Sequence, residues 1–150
     1  MTIILQPKCK ITDLKNLTIE IANCMQKIIY DLFEIRLDIK EPNDLILKGK
    51  KISGILTEIN TIGEKINYLL ISVGFNVNEE NFSDELKDIA TSLKKEFNKD
   101  FSREDIIVDF IRNLEIILSK RSWCLIRTSA SLLYHISSSF ESDQSIFFGS

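Results

Sequence analysis

The stretch Glu41–Glu58, EPNDLILKGKKISGILTE, decides how this 150-residue chain is read. Leu45 to Leu47 form a short apolar piece, and Lys48-Gly49-Lys50 suits a tight turn. Lys51 to Ile59 then reads as a strand, whose alternation puts Lys51, Ser53, Ile55 and Thr57 on one face. Gly54 falls on the other face and removes bulk, so another backbone or a ligand can approach closely. Asn43 and Asp44 sit where loops commonly carry polar functional groups. An ammonium beside a carboxylate would suit an anionic substrate accompanied by a divalent cation, because each charge then has a local partner. A polar hairpin with a solvated lysine fits the same residue types.

Upstream, TIILQP is an apolar strand closed by Pro7. Leu14, Leu17, Ile21, Met25, Ile28 and Leu32 then recur at spacings of three and four, which predicts a core-facing helix from about Asp13 to Phe33. Thr12 or Asp13 is placed to cap it. Glu34 to Lys40 alternates, with Ile35, Leu37 and Ile39 on one side, and predicts a strand that Pro42 stops.

Downstream, Asn60 to Glu64 is a loop in which Gly63 can take positive φ. Ile66 to Val73 is nearly continuous in apolar residues and predicts a strand buried on both faces. Two helices are expected next. The first starts near Ser83 and carries Leu86, Ile89, Ala90, Leu93 and Phe97 as its stripe. The second opens on a Ser102-x-x-Asp105 capping box, with Phe101 stapled to Ile106, and buries Ile106, Ile107, Phe110, Leu114 and Ile117. The fold expected is α/β in the broad sense: a mixed, mainly antiparallel sheet packed against helices. From residue 119 the character changes, because ten of the fifteen serines fall there and charge becomes sparse. Residues 119–150 are therefore expected to be an atypical Ser-rich tail outside the domain formed by residues 1–118.

Charge and composition narrow the classes. A net charge of −3 gives no basic excess for nucleic acid. No apolar run approaches the ~20 residues of a membrane span, and there is no signal-peptide pattern, so a cytoplasmic protein without a membrane partner is expected. Cys9, Cys24 and Cys124 stand far apart, without metal-ligand spacing, and read as unpaired thiols. His135 is the only histidine, which argues against zinc.

The string from Lys40 to Glu58, KEPNDLILKGKKISGILTE, resembles the K-W-P-N-D-L-x-x-x-x-x-K-x-x-G-I-L-x-E signature of biotin–protein ligases. Ile71 to Asn78, ISVGFNVN, is similar to that family's V-G-I-G-I-N-V-N, and ATSLKKE from Ala90 to Glu96 looks like the segment that follows. The resemblance covers roughly Thr2 to Leu118. It implies ATP-dependent adenylation of biotin, with Mg, and transfer to a lysine of a biotin carboxyl carrier domain of acetyl-CoA carboxylase. No permanently bound cofactor is implied, and a homodimer is allowed. By the same resemblance Lys51 contacts the biotin carboxylate and the phosphoryl group, and Asp44 serves the ATP and Mg side. Lys40 and Asn43 shape the loop, Gly54 lies beneath the ligand, Asn76 meets the adenine and Gly74 keeps that turn open.

Two departures stand out: Glu41 replaces the family tryptophan and Ser72 the first glycine of the second motif. The family's glycine- and arginine-rich loop belongs upstream of TIILQP, and Trp123 to Ser150 does not resemble its C-terminal β-barrel. The expectation is therefore the central part of a ligase, weak or inactive alone. The alternative is a non-catalytic fragment acting as a nucleotide-binding or interaction module. A lipoate ligase is a third reading, disfavoured by the K-x-P-N-D and G-I-L-T-E strings. A repressor role would need a helix-turn-helix that these residues do not contain.

Overall fold

The computed structural model describes residues 1–121, so the expectations for Trp123 to Ser150 lie outside the described residues. Five strands form one sheet in the order β1-β5-β4-β3-β2, from β1 (Thr2–Leu5), β2 (Asp38–Lys40), β3 (Asp44–Leu47), β4 (Lys50–Ile62) and β5 (Lys65–Phe75). All four neighbouring pairs are antiparallel. The β3–β4 hairpin closes through Lys48 and Gly49, both at positive φ (51° and 81°), a two-residue turn whose twist matches that of the strands.

Helix α1 (Leu17–Phe33) lies against one face of this sheet. Its apolar stripe buries Leu17, Ile21, Ala22, Met25, Ile28 and Ile29 against Ile3, Leu45, Leu47, Ile55, Leu69, Ile71 and Val73. Thr18 of the helix shares a 2.6 Å hydrogen bond with Thr57 of β4, which fixes the helix on that side. Helix α3 (Arg103–Ser119) packs on α1 through Ile106, Phe110 and Leu114. Ser102 caps it as expected, accepting from the Asp105 amide at 3.2 Å. Of its expected core face, Ile107 and Ile117 are only half-buried. Past the helix, Arg121 donates to the carbonyls of Asp13 and Lys15 and pairs with Glu20, tying the two helices together at one end.

The structure corrects several expectations. Asn16, at φ 62°, occupies the N-cap of α1 without a side-chain cap bond. Asp13 instead accepts from the Lys10 amide within a 3-10 turn, Ile11–Leu14. The strand expected from Glu34 shrinks to Asp38–Lys40, because Glu34 ends α1 in the left-handed region and Ile35 and Leu37 are buried in the connection. β5 is buried on one face only: Leu69, Ile71 and Val73 face α1, while Leu70, Ser72 and Gly74 do not.

The largest correction concerns the helix expected from Ser83. Residues 84–89 form turns, Ala90 makes a single parallel bridge to Lys51, and only α2 (Leu93–Phe97) is helical. β5 ends at Phe75, opposite Ser53, so the backbone of Lys51 lies beyond its reach. The segment after Ile89 takes that place, accepting from the Lys51 amide at 2.8 Å and donating from the Thr91 amide to the Lys51 carbonyl at 2.9 Å. Satisfying those two main-chain groups outweighs the local helical pattern.

Candidate functional site

A bulge decides which way Lys51 points. Leu45 pairs with Ser53, but Ile46 pairs with Lys51, so Ile52 is the extra residue in β4. Paired residues share a face in an antiparallel ladder, so Lys51 lies with Ile46 and Asp44. Ser53, Ile55 and Thr57 lie on the opposite, helix-packed face, which corrects the simple alternation expected for Lys51.

On the face away from α1, one row of partners crosses four strands. Lys40 pairs with Asp44, Asp44 with Gly54, and Gly54 with Gly74. Strands lie about 4.8 Å apart, so the row is roughly 14 Å long. One end is charged. Its other end is built from the glycines of the two motifs, Gly54 and Gly74, which add no side chain there.

Beside this row the Lys51 ammonium stands 2.8 Å from Asp44 Oδ1, and both side chains are largely shielded from solvent (16% and 19% exposed). An ammonium has three donors, so its bond to Asp44 is compatible with an anionic partner as well. Asn43 extends the strand pairing, its carbonyl accepting from the Ile55 amide at 2.9 Å. Glu41 is exposed in the loop before it. Ser72 shares a 3.0 Å hydrogen bond with Thr2, which gives its hydroxyl a partner along the sheet rather than toward the glycine row.

Asn76 sits just past the end of β5 as a staple. Its amide donates to the Ile52 carbonyl at 2.9 Å, its Nδ2 to the Thr91 carbonyl at 3.1 Å, and its own carbonyl accepts from Leu93 at 3.2 Å. Asn78 does likewise for Phe101, donating to its carbonyl at 2.9 Å and accepting from its amide at 3.0 Å. The structure therefore brings Lys40, Asn43, Asp44, Lys51, Gly54 and Gly74 together, with Asn76 at the margin next to the Thr91 segment.

Sequence reasoning missed a network behind Lys51. Thr91 donates to Glu96 Oε1 at 2.6 Å, and Glu96 Oε2 lies 3.2 Å from the Lys48 ammonium. The Thr91 hydroxyl first, then Lys48, hold the Glu96 carboxyl below its usual range against the opposing effect of burial. The ATSLKKE string was the available signal, but its helical reading separated Thr91 from Lys51.

Among the described residues, no cluster of three His, Cys, Asp or Glu side chains could hold a metal ion. Asp44 therefore fits magnesium only as one carboxylate sharing the ion with phosphate oxygens, a common arrangement for nucleotide-bound magnesium. Among the same residues, no helix is long and apolar enough to cross a membrane.

Comparison with known proteins identifies the family and the fold. The bifunctional ligase/repressor BirA of Bacillus subtilis is 38% identical over 109 residues, which are 71% of this chain and 34% of that protein. The apo biotin protein ligase from Aquifex aeolicus superposes with a TM-score of 0.68 at 28% identity, over 79% of this chain and 52% of that one. Its complex with biotin and ATP gives the same TM-score and identity, over 49% of that chain. The Leishmania major biotin protein ligase, at 19% identity and a TM-score of 0.57, shares the fold. The chain thus spans about a third of the curated relatives and about half of these structures. The model of the biotin/lipoate A/B protein ligase family matches residues 2–76, half of the sequence and both sides of the glycine row, and the chain belongs to that family.

Proposed function

We propose that residues 1–118 carry the sheet side of a biotin-adenylating site, and that the reaction served is ATP-dependent biotinylation of a lysine on a biotin carboxyl carrier protein. The observation that carries this reading is the Asp44–Lys51 pair beside Gly54 and Gly74 on the face away from the helices.

In the first step a biotin carboxylate oxygen bonds to the α-phosphorus of ATP while the bond to the bridging oxygen breaks and pyrophosphate leaves. Two anions must meet, so fixed positive charge near the new bond lowers the barrier most. Lys51 is placed to supply it. Asp44 keeps the ammonium on this face and, with the nucleotide phosphates, would share magnesium, whose chemistry is to neutralise phosphate charge. The glycines let the ligand lie against the backbone, Lys40 and Asn43 hold the loop, and Asn76 bounds the adenine end. In the second step the carrier amine attacks the activated carbonyl and AMP leaves, so no protein nucleophile is required.

Lys40 and Lys51 supply the positive charge of the row, and each further donor is worth on the order of 10²–10³ in rate. A second reading, a non-catalytic nucleotide-binding or interaction module, is favoured by one feature: among the described residues β1 is paired on one side only, and Ile4 on it is 55% exposed.

Biotin- and ATP-dependent labelling of a purified carrier domain, compared with Lys51→Ala, tests the proposal. Labelling that disappears in the variant supports it, and labelling that survives removes Lys51 from the chemistry. No labelling, together with no calorimetric heat from biotin and ATP, leaves the interaction module.

A further inference from the structure

We infer that Thr91 and Glu96 are positioning residues that hold Lys51 at the site, through the main chain rather than through its ammonium. This rests on the role proposed above for Lys51, but its geometry stands apart from that role.

Lys51 sits at the mouth of the bulge, where β4 has lost β5 as a neighbour. Its amide and carbonyl are instead bound by Ile89 and Thr91, at 2.8 and 2.9 Å. A single bridge cannot hold a strand in place as a ladder does, so the Ile89–Thr91 segment needs other anchors. Burial and side-chain hydrogen bonds supply them. Ala90, Thr91 and Ser92 are fully buried. Ser92 caps α2, accepting from the Lys95 amide at 3.0 Å, and donates to the Glu79 carbonyl.

Thr91 spends its hydroxyl on Glu96 at 2.6 Å, and the other oxygen of that carboxylate reaches Lys48 at 3.2 Å. Lys48 also donates to the Glu96 carbonyl at 3.4 Å and lies 5.0 Å from the Phe97 ring centroid. Lys48 belongs to the turn that ends β3 and starts β4. Glu96 therefore bolts together the two flanks between which Lys51 hangs: the hairpin turn on one side and the Thr91 segment on the other. Nothing about this carboxylate suggests contact with a substrate. Its effect is to fix where the Lys51 backbone, and hence its ammonium, can stand.

The variants that test this are Thr91→Val, which keeps the shape and removes the hydroxyl, Thr91→Ser, which restores it, and Glu96→Gln. Two readouts are needed. Amide exchange, followed residue by residue by NMR, should show the Lys51 and Thr91 amides opening about tenfold or more faster in Thr91→Val. The core amides of Leu69 and Ile71 report whether the fold itself has loosened. Thr91→Ser should recover most of the protection, and Glu96→Gln should give a smaller loss than Thr91→Val.

The second readout is binding of biotinyl-5′-adenylate by calorimetry. Thr91→Val should weaken it in the native background and add nothing in the Lys51→Ala background, since the effect passes through Lys51. Unchanged Lys51 protection overturns the inference, as does a Thr91→Val effect that adds in full to Lys51→Ala. If the native chain does not bind the adenylate, the proposed function fails instead, and the exchange arm still decides whether Thr91 and Glu96 hold Lys51.

Discussion

Asp44 and Lys51, on neighbouring strands, stand on the same face of the sheet because Lys51 pairs with Ile46 and leaves Ile52 as a bulge. Their contact at 2.8 Å is shielded enough that removing one partner should strand the other in a poorly solvated place. Asp44→Asn and Lys51→Met should each lower stability, and the double variant should lose less than the sum. A coupling of about 1 kcal/mol is expected from a urea double-mutant cycle, intermediate between exposed and buried pairs. Full additivity would mean that the pair does not hold the lysine.

Gly74 faces Gly54 across β4 and β5. A methyl group there would stand on the face away from α1, the side proposed for the ligand, and not in the core. Gly74→Ala should therefore leave the urea midpoint unchanged or raise it slightly, since glycine inside a strand costs roughly 0.5–1 kcal/mol relative to alanine. Binding of biotin and ATP should fall by about tenfold or more, on the proposed placement of the ligand. Loss of stability with intact binding would place the ligand elsewhere.

Much of the fold is legible in the sequence, for identifiable reasons. The β3–β4 hairpin is local: Lys48 and Gly49 make its turn and the flanking apolar residues its strands, so the motif announces its own geometry. The stripe of α1 and the Ser102 cap of α3 are local as well. What escaped was set at long range. The face of Lys51 depends on a register shift between Leu45 and Ile46, opposite the extra residue Ile52. Residues 84–90 give up a helical pattern because the Lys51 main chain, some forty residues earlier, needs partners. The left-handed Glu34 ends a helix whose sequence offers no glycine there, and so Ile35 and Leu37 became connection instead of strand.

Cys24 lies half-buried beside the core, and burial pushes its thiol up to about 11, with Lys27 opposing weakly. Thiolate is the reactive form, so near pH 8 its population should be roughly a hundredfold below that of an ordinary cysteine. Iodoacetamide labelling mapped by peptide mass should show Cys24 reacting far more slowly in the native chain than in urea. Equal rates in both conditions would mean that the α1 face carrying Cys24 is not packed as described.

Glu96 gives the clearest pH dependence. The Thr91 hydroxyl and then the Lys48 ammonium favour its charged form, so its folded value lies below the ordinary 4.5. A depressed carboxylate stabilises the fold above its unfolded value and loses that contribution as pH falls through the folded one. Native chain and Glu96→Gln should therefore differ most in urea midpoint above about pH 5, and the gap should close as pH falls through the depressed folded value of Glu96. Other carboxylates titrate in both proteins and cancel in the difference. In Thr91→Val the gap should narrow, because the larger of the two stabilising contacts is gone. A gap that stays constant across this range would mean that Glu96 gains nothing from its charge, and the bolt between the hairpin turn and the Thr91 segment would then rest on shape alone.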